Sequence, residues 1–179
     1  EKLIEKLPDL KLIHSEGVAF NRIDLAAAGK RGIYVCNCAG MNAKAVAEQT
    51  LLLMLGVVKN VVSGDAAVRD GNQMDVKMAY MGAGSLMELA DCKAGLIGFG
   101  AIGKATARML QGFGVEVYYT KRHRLTAEEE KEYQVRYLPM DELLKTCDML
   151  SLHLPVTQET TGMCNREFFG KCRKGSYFI

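Results

Sequence analysis

The hexapeptide at 98–103, GFGAIG, constrains the fold of this chain more than any other feature. It lies directly after a predicted strand and at the start of a predicted helix, the context in which G-x-G-x-x-G is typical of dinucleotide-binding folds. Gly98 would permit a tight turn, Gly100 would let the backbone approach a pyrophosphate, and Gly103 would let the helix pack on the strand. The segment therefore predicts a site for the phosphates of a dinucleotide.

Two backbone amides of this turn, those of Ala101 and Ile102, would face the phosphates. They open the predicted helix, and the N-terminus of a helix carries partial positive charge that favours anions. A motif of this kind can also be a glycine-rich turn that binds nothing. The predicted strand, helix and second strand around it, all in register, favour the dinucleotide site.

Strands and helices alternate strictly from residue 94 onward. The predicted strands are 94–99, 115–119, 135–137, 148–152 and 175–179, and the predicted helices are 101–111, 127–133, 140–146 and 166–171. Thr126-x-x-Glu129 is a capping box, and Asn165 precedes the last helix. This order specifies an α/β fold with a doubly wound parallel sheet of Rossmann type. Such folds carry six strands in two halves, so we expect a further strand after Ile179.

The first forty residues predict a smaller β-α-β unit. Apolar runs at 10–14 and 33–36 flank a helix that Asp24 is placed to cap and that Gly32 ends. Two strands cannot form a sheet with a core of their own, so we expect additional strands before Glu1.

An apolar helix is predicted from Asn42, as its N-cap, to about Val62, and it would need cover on most sides. It is either a joint between two domains and part of a subunit interface, or a core helix within one domain. Residues 63–90 contain several glycines and little periodicity beyond a helical turn after Asp65, which predicts a linker or an ordered long loop.

The domain hypothesis that follows has two parts. Residues 1–41 would be part of a substrate-binding domain, and residues 42–179 an NAD(P)-binding domain that is truncated at its C-terminal end. The helix at 42–62 would lie between the domains and contribute to a dimer.

Charge and cysteine content exclude several classes of function. The chain has 23 basic and 21 acidic residues, a net charge of +2, which gives no global field to hold nucleic acid or an anionic membrane. Its six cysteines form no CxxC pair and no histidine completes a metal cluster, so no metal site is predicted.

The start lacks the apolar core of a signal peptide, and the longest apolar tract, 50–58, is too short to span a bilayer. We therefore expect a cytoplasmic protein.

The segment at 119–124, YTKRHR, follows the second strand of the predicted sheet. An NAD-binding domain usually has an acid here that accepts hydrogen bonds from the adenine ribose, and this segment has none. Lys121 and Arg122, with Arg124 nearby, could instead hold the 2′-phosphate of NADP. We expect NADP(H) preference, with use of both cofactors as the fallback. The alternative is an ordinary solvated basic loop.

None of the three histidines is assigned a role in proton transfer. His14 and His153 are predicted at the carboxyl ends of strands, where ligand sites occur in open α/β sheets, and His123 lies in the basic segment. None has an evident carboxylate partner nearby in the sequence, and no G-x-S-x-G motif is present.

Several segments, in this order along the chain, resemble the D-isomer-specific 2-hydroxyacid dehydrogenase family, especially its phosphoglycerate dehydrogenases and glyoxylate and hydroxypyruvate reductases. These segments are 12–24 (LIHSEGVAFNRID), 32–37 (GIYVCN), Asn42 with 46–50 (VAEQT), the hexapeptide at 98–103, 141–144 (DELL) and 151–160 (SLHLPVTQET). The resemblance covers nearly the whole chain. It implies an oxidoreductase that transfers hydride between NAD(P)H and a small 2-oxo acid or D-2-hydroxy acid. It also implies a homodimer and a smaller, flavodoxin-like substrate domain.

The resemblance also implies site residues. Thr50 would contact the cofactor near the nicotinamide, the backbone at His153, Leu154 and Pro155 would pass along the adenosine with Thr160 close by, and the amides of Val18 and Ala19 would hold the substrate carboxylate. A glycine is usual where Ala19 stands. Lys121 takes the place of the usual acid, as in the NADP-using reductases of the family. The catalytic arginine, glutamate and histidine of the family would follow Ile179, so no residue of this chain is assigned as catalytic.

A second class of function fits the same motif. The protein could be a dinucleotide-sensing or interaction module that kept the fold without turnover, as corepressors related to the family do. The intact glycine motif supports both interpretations equally. The arginine, glutamate and histidine expected after Ile179 would separate them.

Overall fold

The computed structural model describes residues 2–84 and 87–179. The helices are Lys2–Glu5 (α1), Leu25–Lys30 (α2), Ala43–Val58 (α3), Val61–Arg69 (α4), Gln73–Ala83 (α5), Ala101–Gly112 (α6), Ala127–Glu132 (α7), Met140–Thr146 (α8) and Arg166–Lys171 (α9). The strands are Leu12–Ser15 (β1), Tyr34–Asn37 (β2), Lys93–Ile97 (β3), Glu116–Thr120 (β4), Val135–Tyr137 (β5), Met149–Leu152 (β6) and Tyr177–Phe178 (β7).

The larger sheet has five parallel strands in the order β5-β4-β3-β6-β7. The strand order reverses direction at β3, which pairs with β4 on one side and with β6 on the other. This arrangement confirms the predicted doubly wound α/β sheet. Because ligands of such folds bind outside the carboxyl ends of the strands at the reversal point, the turn after β3 is placed where a site is expected.

Helices cover both faces of this sheet. Successive residues of a strand point to opposite faces, and Leu96 and Ile97 of β3 accordingly belong to two separate buried clusters. The Leu96 cluster is formed with side chains of α3 and α6, including Met54 and Leu110. The Ile97 cluster is formed with side chains of α8 and α9, including Leu143. Burial on both faces explains why the strands read as nearly continuous apolar runs.

The prediction of one helix from residue 42 to 62 is wrong. α3 ends at Val58, Asn60 adopts a left-handed conformation with φ 51°, and α4 starts at Val61 at an angle of 62° to α3. Asn42 does occupy the N-cap position of α3, but its side chain makes no capping hydrogen bond. A backbone in the left-handed region cannot continue an α-helix, so the chain turns there.

The prediction of a linker or long loop at 63–90 is also wrong over most of its length. α4 and α5 occupy much of it, and residues 85 and 86 lie outside the described residues. Met74, Met78 and Met81 recur at helical spacing in α5, but all three side chains are exposed. The glycines make these helices hard to predict from the sequence, because glycine lowers helix propensity without preventing a helix from forming.

α3 is covered on one face in this chain. Ala47, Met54 and Val58 are buried, whereas Leu52 is 61% exposed on another face. α3 packs mainly against α6, as a core helix does. No single helix in the described ranges is long and apolar enough to cross a membrane; α3 and α4 pass that test only as a bent pair, by length and composition.

The N-terminal residues form a separate two-stranded parallel sheet, β1 with β2. Asp24 accepts a hydrogen bond from the Ala27 amide at 2.9 Å and caps α2, as predicted. Ile4, Ala28 and Ile33 form a small buried cluster beside this sheet.

Candidate functional site

The glycine turn after β3 is packed tightly against its neighbours at two of its three glycines. Gly98 has φ 97°, and a Cβ there would lie 2.5 Å from the His153 carbonyl oxygen. A Cβ at Gly103 would lie 2.6 Å from the Gly98 carbonyl oxygen. Hydrogen is therefore the only side chain that fits at either position without movement of backbone, and the turn is held against the loop after β6.

Gly100 is different, because a Cβ there would meet no heavy atom within 4 Å. Its φ of −89° is ordinary for any residue, so the local backbone does not itself require glycine. Gly100 is the N-cap of α6, and it provides no side-chain cap for the helix. A Cβ at Gly100 would thus point into open space at the start of this twelve-residue helix, whose first residues are Ala101 and Ile102. This combination of space and amide donors fits a pyrophosphate.

His153 lies at the end of β6, beside the glycine turn. Its amide donates to the Ile97 carbonyl at 2.7 Å, and its Nε2 lies 3.0 Å from the Ser151 hydroxyl oxygen. Burial lowers the pKa of the His153 imidazole to about 4. The ring is therefore neutral near pH 7 and offers no positive charge to a phosphate.

Threonine side chains hold the loop that follows His153. The Thr160 hydroxyl donates to the Pro155 carbonyl oxygen at 2.7 Å, and its oxygen accepts from the Thr157 amide at 2.8 Å. Leu154 is half-buried and Pro155 is exposed. The backbone of 153–155 is thus fixed at the edge of the glycine turn.

Arg124, at the end of the basic segment, is already engaged. Its guanidinium binds both carboxylate oxygens of Glu130, at 2.7 and 3.0 Å, and lies 5.2 Å from the centre of the Tyr137 ring. The Tyr119 hydroxyl donates to Glu130 at 2.8 Å, and burial together with this hydrogen bond raises the pKa of Tyr119 to about 12. Arg124 therefore supports the local structure instead of facing the glycine turn as a free cation.

Lys121 and Arg122 behave differently from each other. Arg122 forms an ion pair with Glu159, in the loop after β6. Lys121 is half-buried, and no ion pair joins it to a residue in the described part of the chain. Nothing in the sequence pairs Glu159 with Arg122, because 37 positions separate the two residues and only the sheet order brings their loops together.

Thr50 lies on the covered face of α3 and is 5% exposed. Its hydroxyl donates to the Val46 carbonyl oxygen at 2.9 Å. The segment before α3 approaches the glycine turn, since a Cβ at Gly40 would lie 3.7 Å from the Cβ of Ala101. The helix that bears Thr50 and the start of α6 thus belong to one packed region.

Val18 and Ala19 lie in an exposed loop after β1. Their carbonyl groups are held by side chains: Asn37 donates to the Val18 oxygen at 2.7 Å, and Ser15 donates to the Ala19 oxygen at 2.9 Å. His14 Nδ1, at the end of β1, lies 3.2 Å from the Cys36 sulfur. Within the described ranges, no three histidine, cysteine, aspartate or glutamate side chains are grouped so as to hold a metal ion.

Comparison with known proteins identifies the family. Residues 51–179 match the family described as "D-isomer specific 2-hydroxyacid dehydrogenase, NAD binding domain". The chain is 38% identical over 167 residues to a glyoxylate reductase of Thermococcus litoralis, covering 91% of this chain and 49% of that protein. It is 35% identical over 178 residues to a glyoxylate reductase of Thermofilum pendens, covering 99% of this chain and 52% of that protein.

A solved structure agrees with these matches. The D-lactate dehydrogenase of Aquifex aeolicus, in complex with NAD and lactic acid, superposes with a TM-score of 0.86 at 34% identity and covers 100% of this chain and 52% of that one. The chain therefore belongs to the D-isomer specific 2-hydroxyacid dehydrogenase family, which confirms the resemblance, and it contains the NAD-binding domain of that family. It spans about half the length of the relatives that it matches.

Proposed function

We propose that the full-length protein transfers hydride between NAD(P)H and a small 2-oxo acid or the corresponding D-2-hydroxy acid, and that this chain supplies its cofactor-binding part. The observation that carries the proposal is the open space beside Gly100, at the start of a long helix. Gly98 and Gly103, on either side of it in the sequence, leave no room for a side chain. Glyoxylate reductases and a D-lactate dehydrogenase among the relatives support the reaction class.

Different residues around the glycine turn would contact different parts of the cofactor. The amides of Ala101 and Ile102 would hold the pyrophosphate, and the backbone at 153–155 would lie along the adenosine, in a loop whose shape Thr160 maintains. Thr50, on α3, would lie towards the nicotinamide. When bound, the nicotinamide would supply or accept the hydride.

The loop after β1 would contribute to substrate binding. Because side chains hold the carbonyl groups of Val18 and Ala19, the backbone of this loop is fixed, and its amides would bind the substrate carboxylate. We assign no catalytic residue in this chain. His153 is neutral and half-buried, with its Nε2 beside Ser151, so its expected role is to shape the site and not to transfer a proton.

The full-length protein tests this proposal directly. Titration with NADH and with NADPH, followed by nicotinamide fluorescence, should show saturable binding of at least one of them. Absorbance of the reduced cofactor should then fall when members of a panel of small 2-oxo acids are added. Binding without turnover of any acid would favour the dinucleotide-sensing alternative, and no binding of either cofactor would contradict the proposal.

We further propose that NADP(H) is the preferred cofactor. Lys121 and Arg122 follow β4, where the ribose end of the dinucleotide would lie, and each could make charge-assisted hydrogen bonds to a 2′-phosphate. Such bonds are worth roughly 1.5–3 kcal/mol each before exposure reduces them, so one retained at the low end gives about tenfold preference.

Replacing Lys121 by aspartate and Arg122 by alanine together should shift the ratio of NADP to NAD affinity towards NAD by about tenfold or more. The change restores a ribose acceptor and removes a phosphate-binding guanidinium. Dissociation constants for both cofactors at one ionic strength measure the shift. The matched control, Lys145→Asp with Arg166→Ala, makes the same charge change at exposed positions of α8 and α9 and should leave the ratio unchanged. A wild type that prefers NAD, with a ratio insensitive to Lys121 and Arg122, would identify the segment as a solvated basic loop.

We also propose a homodimer that buries the apolar surface of α3, α4 and α5. The exposed apolar side chains on these helices are Leu52, Leu53, Val61, Val62, Val68, Met74, Met78 and Met81. Apolar surface of this extent on neighbouring helices is typical of a protein–protein interface.

Val62→Glu should convert the full-length dimer to a monomer at micromolar concentration, because Val62 is 83% exposed here and a buried carboxylate would be unpaired in the interface. Light scattering measures the mass. Phe113→Glu, at the C-terminus of α6, removes another exposed apolar side chain and should leave the dimer intact. A monomeric wild type would contradict the proposed dimer.

A further inference from the structure

The ion pair between Arg122 and Glu159 joins the two loops on either side of the glycine turn. Arg122 follows β4 and Glu159 follows β6, and β3, which leads into the glycine turn, lies between these strands in the sheet. Both side chains are 71% exposed, so the pair lies in solvent at the carboxyl edge of the sheet and not in the core. It therefore lies at the edge where the proposed cofactor would bind.

Glu159 is also the carboxylate that the fold brings to Arg122. The segment 119–124 contains no acid of its own. Glu130, which lies close to the same segment, is held by Arg124 and Tyr119. A 2′-phosphate that binds the Arg122 guanidinium would thus have to replace Glu159 or share the guanidinium with it.

We infer that Glu159 is a specificity-determining residue that acts through Arg122 and limits the preference of this protein for NADP over NAD. The inference rests on the proposed function. An exposed ion pair contributes little to stability, so Arg122 can exchange Glu159 for a phosphate. The carboxylate nevertheless stays near the guanidinium, where it repels a phosphate that carries between one and two negative charges. NAD has no charge at this position and is not repelled.

Glu159→Gln in the full-length protein tests the inference, because glutamine keeps the size of the side chain and removes its charge. The dissociation constant for NADPH should fall by about fivefold, while that for NADH changes by less than about twofold. The gain should shrink as salt is added, because the removed repulsion is screened. Glu159→Asp keeps the charge and should keep the wild-type ratio. Glu167→Gln, which neutralises an exposed and ion-paired acid on α9, should change neither constant.

A double variant tests whether Glu159 acts through Arg122. Adding Glu159→Gln to Arg122→Ala should produce a gain in NADPH affinity well below fivefold, because without Arg122 the Glu159 carboxylate is no longer held beside the phosphate position. A gain of the full size there would overturn the coupling. If the wild type binds NADPH and Glu159→Gln leaves its affinity unchanged or lower, the inference fails while the proposed function stands. If the wild type binds neither cofactor, the proposed function fails and the inference fails with it.

Discussion

Replacing Gly100 by valine should weaken dinucleotide binding by at least about 100-fold while leaving the fold intact. The two expectations come from the same observation: a Cβ at Gly100 meets no protein atom within 4 Å, so the space that valine would fill is the space proposed for the pyrophosphate. Losing two charge-assisted hydrogen bonds from the α6 amides accounts for about 3 kcal/mol or more, which corresponds to this factor.

The measurement is a titration of the full-length variant with NADPH and NADH by nicotinamide fluorescence, alongside its circular dichroism spectrum. Gly112→Val is the matched control, since Gly112 lies at the other end of α6 and a Cβ there also meets no heavy atom within 4 Å. The control should bind both cofactors as the wild type does. A Gly100→Val protein that is folded and binds with wild-type affinity would show that the glycine turn is not the phosphate site.

The larger sheet was predictable because its residues carry the pattern locally. β3, β4, β5 and β6 agree with the predicted strands within two residues at each end. In β3, β4 and β6 most residues are buried, and burial on both faces requires mostly apolar residues. The capping box of Thr126 and Glu129 and the N-cap of Asn165 were also correct, because a cap involves residues only three positions apart.

The predicted helices and loops are wrong where tertiary packing or a single backbone angle determines the secondary structure. The left-handed conformation of Asn60 divides one predicted helix into two. An asparagine in the sequence does not by itself indicate that conformation. The sequence does not indicate α4 and α5, because Gly64 and Gly82 lie inside them and glycine lowers helix propensity. Local propensity and core packing agree along the larger sheet but not along α4 and α5.

The candidate cofactor site also has one part that the sequence predicts and one part that it does not. The glycine turn was recognisable from six consecutive residues, whereas the engagement of Arg122 by Glu159 depends on strand order. The low pKa of His153 likewise depends on burial that no local motif encodes. Sequence therefore predicts the backbone proposed to bind the phosphates more readily than the side chains that would modulate that binding.

Gly98→Ala should destabilise the protein by about 3 kcal/mol or more, in contrast to Gly100→Ala, which should leave stability nearly unchanged. At Gly98 the φ of 97° is strained for alanine, and the new Cβ would lie 2.5 Å from the His153 carbonyl oxygen, which is backbone and cannot rotate away. At Gly100 neither penalty applies.

Urea denaturation of the full-length variants, followed by circular dichroism, compares the two free energies of unfolding. Insoluble Gly98→Ala protein beside soluble Gly100→Ala protein would carry the same meaning, because both substitutions add one methyl group to the same turn. Equal stabilities would contradict the close contact between the glycine turn and the loop after β6. That contact places the backbone at 153–155 beside the proposed phosphate position, so its loss would also remove the basis for assigning this backbone to the adenosine.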